Sequence, residues 1–398
     1  MGSGIRPVSV AERRARLAAR HHLAPASRGA ASPAGVAGAV ADIIALHGTD
    51  PASVYLAARA RTGAARSDVE SALYAGGTLV RMLGMRRTVF VVPTALMPVI
   101  QAACTDQIAE RMRRDLAKRV QESGIAADGA AWLAEVGEAT VAALAARGSA
   151  TGGELAGDEP RLRAQIVYPG GEGKSYGGPV NVTTRLLTLL AAEGLIVRGR
   201  PRGGWTSSQF TWTAAPAWPR LDAAAARAEL ARRWLLAFGP AAPADLQWWA
   251  GWTATQVRQA LGQLELAEVD LDGTAGVMLA ADQDAPPAAE PWPALLPALD
   301  PAAMGWRERG WYLGGHAAAL FDRSGNIGPT VWWDGRIVGG WAHRPDGEIA
   351  VRLLEDVGAE AAAAITAEAG RLREWIGEDT KIRIIPRFRT PLERELAG

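Results

Sequence analysis

The side chains best suited to acid–base chemistry sit in one short stretch, Leu46-His47-Gly48-Thr49-Asp50-Pro51, where an imidazole, a hydroxyl and a carboxylate fall within four residues. An imidazole holds or takes a proton near neutral pH, a hydroxyl donates and accepts, and a carboxylate steadies positive charge. The flanking sequence positions them. An apolar helix ends at Leu46, Pro51 suits the first turn of a new helix, and Asp50 falls at that helix's N-cap. His47 and Thr49 therefore lie on a short connection between helices. If that connection is extended, Gly48 points away and His47 and Thr49 share one face. A lone histidine there also has a plainer reading, as a hydrogen-bonded structural residue.

Other chemistries find little support. Gly170–Ser175 reads GGEGKS, but a phosphate loop needs glycine where Tyr168 stands, so the segment reads as a loop without an ATP site. His21, His22, His316 and His343 have no histidine or cysteine partner at metal spacing, and His21-His22 suit the C-terminus of a basic helix. Cys104 is the single cysteine, so neither a disulfide nor a thiolate cluster can form, and a small buried hydrophobe is expected. Neither a metal nor a cofactor is expected. Asn181-Val182-Thr183 is a glycosylation sequon by letters only. No run approaches twenty uninterrupted apolar residues and no secretion signal is recognisable, so a cytoplasmic protein without membrane contact is expected.

The 398 residues are 48% hydrophobic and 21% charged, a folded composition with room for several domains. A net charge of +1 looks unhelpful for nucleic acid, yet Lys118, Lys174 and Lys381 are the only lysines, so nearly all of the 43 basic residues are arginine. Arginine grips phosphate bidentately.

A recurring order of elements is the strongest organisational signal. Ser67–Gly76 reads as a helix with Val69, Leu73 and Tyr74 on one face, followed by a hairpin over Thr78–Val92 with Arg81, Arg86 and Arg87 near its turn. The order returns in a helix carrying Val182, Leu186, Leu189 and Leu190, closed by Gly194, and a hairpin whose turn carries Arg198, Arg200 and Arg202. A third copy has Val257, Leu261 and Leu264, then a hairpin turning at Asp272-Gly273 without basic residues. Further helical segments precede each copy: Ala11–Leu23, Val36–Leu46 and Pro51–Arg61, then Ala131–Arg147, then Asp222–Phe238. Helices followed by a two-stranded wing describe a winged helix-turn-helix, a DNA-binding module.

Asp284–Pro301 holds six prolines and reads as a linker. Beyond it, strands from Trp311 to Arg344 turn at Asp334-Gly335, a helix follows at Ala359–Ile376, and Lys381–Arg389 reads as a last strand. Trp306, Trp311, Trp332, Trp333 and Trp341 read as core residues of a small barrel, with base-stacking platforms as the alternative.

The segments RARLAARHHL, LHGTDPASVYLAARAR, LVRMLGMRRTVFVVP and GPTVWWDGRIVGGW, spread over most of the chain, resemble the AlkZ-like DNA glycosylases, which include the YcaQ-type enzymes. The resemblance implies an α+β fold of three tandem winged helices in a C-shape plus a C-terminal small β-barrel. The corresponding boundaries here are 5–128, 129–220, 221–285 and 286–398. It further implies a monomeric, cofactor-free hydrolase that removes N7-alkylated purines from double-stranded DNA, bulky adducts and crosslinks included. Family members carry Gln-x-Gln, His-x-Gln or Gln-x-Asp after the helix that here ends at Leu46, and His47 and Thr49 match those positions, with threonine departing from the pattern. In this setting a neutral His47 would bind or deprotonate a water, Thr49 would orient it, and Asp50 would supply negative charge. Arg81, Arg86, Arg87, Arg198, Arg200 and Arg202 would contact phosphates, which suits a lesion searcher that works at any sequence. A winged-helix regulator or lesion sensor that binds DNA without excision is the second expectation, and a scaffold for protein partners the third.

Overall fold

The computed structural model describes residues 5–167, 179–287, 289–377, 384–386 and 388–398. Gly170–Ser175, read above as a loop, lies outside them.

One arrangement of elements occurs three times. The first runs through helix Pro33–Asp42, strand Leu46–His47, helix Pro51–Thr62, a short helix Arg66–Glu70 prolonged by a wider turn through Ala75, and the hairpin Leu79–Leu83/Val89–Pro93. The short strand lies antiparallel against the second hairpin strand, with Leu46 opposite Val91 and His47 opposite Phe90. The second has helix Gly129–Arg147, a bridge from Ala150 to Trp212, helices Gly152–Asp158 and Val182–Ala192, and the hairpin Ile196–Pro201/Phe210–Ala214. The third has helix Ala223–Phe238, a bridge from Ala241 to Val277, helices Pro243–Ala250 and Ala254–Leu261, and the hairpin Leu266–Asp270/Ala275–Leu279. Local chemistry accounts for the helix starts: Ser32, Thr151 and Thr253 each accept a bond from a backbone N–H three residues on. Gly63 and Gly194, both in the left-handed region, close helices that a residue with a Cβ would close at a cost. Asp272 and Gly273 also take positive φ, as a two-residue hairpin turn requires.

The first hairpin is wedged between two cores. Met82 and Phe90 pack with Trp234, Phe238 and Trp249 of the third unit, whereas Leu46 and Val91 pack with Val40, Leu56 and the C-terminal Trp341. Helix Asp106–Glu122 joins the second unit's core through Ala109, Met112, Leu116 and Val120. A fully buried Arg61–Asp300 pair, 2.7 Å apart, ties the first unit to the C-terminal region.

The C-terminal region departs from expectation in four places, the first being Gly310–Leu313 and Ala317–Leu320, short helices where strands from Trp311 were expected. The Pro-rich stretch contains strand Pro293–Leu296 of a four-stranded antiparallel sheet, with buried Trp292 just ahead of it, so it is not merely a linker. Pro293 lies in an edge strand, where a missing N–H donor is tolerated. Among the described residues the sheet is open and not a closed barrel: Pro293–Leu296 and Ile349–Leu353 are its two edges, and helix Gly358–Ile376 packs across it. The expected strand Lys381–Arg389 falls partly outside the described residues, and Ile384–Pro386 form no strand. Trp306, Trp311, Trp332 and Trp341 are buried, as the core reading required, whereas Trp333 is only partly buried.

Candidate active site

The loop carrying the singled-out residues is held by backbone. His47 ends the short strand, the Gly48 N–H donates to Val89 O at 2.8 Å, and the chain turns into helix Pro51–Thr62. Gly48 is required by closeness. A Cβ there would stand 3.1 Å from the Phe90 carbonyl carbon, 3.2 Å from Val89 O and 3.3 Å from Phe90 Cα, all backbone atoms.

Thr49 and Asp50 open into a cleft of about 550 Å³ whose other walls include Arg198, Phe210 and Trp212 from the second hairpin. Asp50 is 8% exposed and holds the N-cap position in extended conformation, with Ser53 Oγ donating to its carboxylate at 2.8 Å. Burial raises the pKa of Asp50, opposed by the Ser53 hydrogen bond and the charge of Arg81.

His47 is not among the residues lining that cleft, so the expectation that it shares a face with Thr49 is not met there. The strand stops at His47, so the alternation of faces does not extend to Thr49. Opposite Phe90, which in turn opposes Met82, the imidazole stands on the Met82–Phe90 face, its ring edge-on to Phe90 at 5.4 Å between centroids. Burial and then the charge of Arg86 push its pKa down to about 4, so it is neutral at pH 7. Its Nδ1 is buried without a partner.

The six arginines have five different environments. Arg81 is not at the hairpin turn but mid-strand, 2% exposed, its Nη1 donating to Gly48 O at 3.1 Å. Arg86 is half-buried over the Trp248 ring at 4.0 Å, and only Arg87 is exposed at the first turn; both take positive φ. Arg198 lies 5.2 Å from the Phe210 ring and 5.6 Å from Trp212. Arg200 and Arg202 are exposed and ion-paired with Glu70 (2.6 Å) and Glu154 (2.8 Å). The second turn is also pinned by Trp205, 7% exposed and packed on Tyr55 and Trp375.

Sequence reasoning missed Ser53, Phe210 and Trp212. The spacing of Phe210 and Trp212, two apart on a strand, was the available signal that both rings share a face. Among the described residues no group of three or more His, Cys, Asp or Glu could hold a metal, and no helix is long and apolar enough to cross a membrane.

The fold matches that of a solved DNA glycosylase. Streptomyces sahachiroi DNA glycosylase AlkZ superposes with a TM-score of 0.69 over 96% of this chain and 99% of its own, at 20% sequence identity. The description of the AlkZ-like DNA glycosylases fits residues 40–375, and the chain belongs to that family. No curated protein sequence matches it.

Proposed function

We propose that the protein is a monofunctional DNA glycosylase that hydrolyses the N-glycosidic bond of alkylated purines, N7-alkylguanine first among them, acting as a monomer on double-stranded DNA. The observation that carries the reading is the cleft in which Thr49 and Asp50 face Arg198, Phe210 and Trp212. A purine alkylated at N7 is already cationic and departs as a neutral base, so the protein has to place water at C1′ and steady the positive sugar that develops as the C–N bond lengthens. Asp50 supplies a carboxylate in a poorly solvated place, where its charge acts strongly on such a cation. Thr49 offers a hydroxyl to hold the water, and Asp50 receives the water's proton as the C1′–O bond forms. His47, neutral and behind the hairpin, is assigned a supporting role, with direct contact to the water as the competing assignment.

The three repeated units are read as winged helices over 5–128, 129–220 and 221–285, curved into a C around duplex, with 286–398 closing one end. Arg87, Arg198, Arg200 and Arg202 are the phosphate contacts of this reading. Steady-state excision from duplex containing N7-methylguanine tests it: wild type should release the base, Asp50→Asn should fall about 10²-fold or more, and Thr49→Ala by less. Equal excision by wild type, His47→Ala, Thr49→Ala and Asp50→Asn removes the assigned site. Binding without excision by wild type leaves the sensor reading, which draws on the separation of His47 from the Thr49–Asp50 cleft.

A further inference from the structure

We propose that the cavity between the first and second hairpins is a seat for one backbone phosphate of the bound DNA, with Arg81 as its buried donor; the proposal rests on the DNA-binding part of the reading above. The cavity, about 460 Å³, is lined by Arg81, Arg198 and Arg200 together with Thr211 and Thr213, and no Asp or Glu is among its described lining residues. Arg81 spends only Nη1 on the chain, at Gly48 O, while Nε and Nη2 are buried without a partner. An enclosed guanidinium with unpaired N–H groups is expensive, and such groups in native structures ordinarily meet an acceptor. Arg81 and Arg198 also approach one ring, Phe210, at 5.0 and 5.2 Å. Two like charges are thus drawn to one ring, while Asp50, which feels the charge of Arg81, lines the neighbouring cleft, and Glu70 pairs with Arg200 without being among the described lining residues.

Unfilled, adjacent donors on a planar fork match two non-bridging oxygens of a phosphate, with the second arginine neutralising the charge. Arg198 lines both this cavity and the Thr49–Asp50 cleft. A phosphate seated here therefore stands beside the sugar presented to Thr49 and Asp50, which fixes the register of the damaged nucleotide without reading sequence.

The test uses the full chain and duplexes with a central abasic-site analogue, so that excision is not needed. A single neutral methylphosphonate is walked along the strand, and binding is measured for wild type, Arg198→Gln and Arg81→Gln. For wild type, one position next to the analogue should cost about tenfold in affinity, and the same replacement should cost less than about twofold in either variant. The wild-type walk and Arg198→Gln keep the test decisive if Arg81→Gln fails to fold. Inorganic phosphate alone, followed by arginine Nε–H NMR shifts, provides the second arm and should move the Arg81 signal. No sensitive position, or full additivity in both variants, overturns the proposal. An Arg81 shift with phosphate but no methylphosphonate coupling also overturns it and marks a site for a free anion. Coupling without excision from N7-methylguanine leaves the seat standing while removing the glycosylase reading.

Discussion

Gly48→Ala is the most incisive single-atom perturbation of the site. The added methyl would meet three backbone atoms at 3.1–3.3 Å, each a few tenths of an ångström inside ordinary contact, and none belongs to a side chain that could rotate away. The loop must retreat from the hairpin. Retreat stretches the Gly48–Val89 bond (2.8 Å) and the Arg81–Gly48 bond (3.1 Å). With net hydrogen-bond contributions of roughly 1 kcal/mol apiece and overpacking strain of about 1–3 kcal/mol, the expected loss is about 3–5 kcal/mol. Displacement of Thr49 and Asp50 should also cost up to about 10²-fold in excision, even under conditions where the variant is fully folded. Denaturant midpoints at constant m-value report the first quantity and single-turnover excision the second. Stability within about 0.5 kcal/mol of wild type together with unchanged excision would refute the claim that this close approach sets the loop.

The same substitution elsewhere should have the opposite sign: Gly38, exposed in helix Pro33–Asp42 with nothing within 4 Å of a new Cβ, should gain about 0.5–1 kcal/mol as alanine, read in the same unfolding experiment. Arg61→Ala should cost about 3–5 kcal/mol by stranding Asp300 inside the protein, which a thermal or denaturant midpoint shows directly. His47 has a folded pKa of about 4 against the ordinary 6.5, so its contribution is present above pH 6.5 and lost as pH falls through 4. Buried His21, also pushed down, acts in the same direction, so the difference between wild type and His47→Gln isolates the His47 share; identical pH–stability slopes would contradict its burial. Asp50 shifts the other way: its raised pKa makes its contribution most favourable at low pH and lost as pH rises through the folded value, and Asp50→Asn should remove that loss.

Much of the architecture was legible in periodicity and punctuation. The helix before each hairpin, the Asp272-Gly273 and Asp334-Gly335 turns and the helix ending at Ile376 follow from local backbone preference, which nearest neighbours in sequence decide. The short strands Leu46–His47, Ala150 and Ala241 were not, because one or two residues carry no period and exist only through their partners across the sheet. The Pro-rich stretch misled for a related reason: proline forbids a central strand but not an edge.

The residue types at the site were determined by the sequence alone: an imidazole, a hydroxyl and a carboxylate ahead of a proline-started helix, and arginines gathered near two hairpins. Which of them meet was decided by the tertiary structure. Packing of the second hairpin against the first puts Phe210, Trp212 and Arg198 opposite Thr49 and Asp50, leaves His47 on another face, and encloses Arg81 beneath the loop. Burial and field are sums over neighbours remote in the chain, so a string of residue types cannot contain them until the chain is folded.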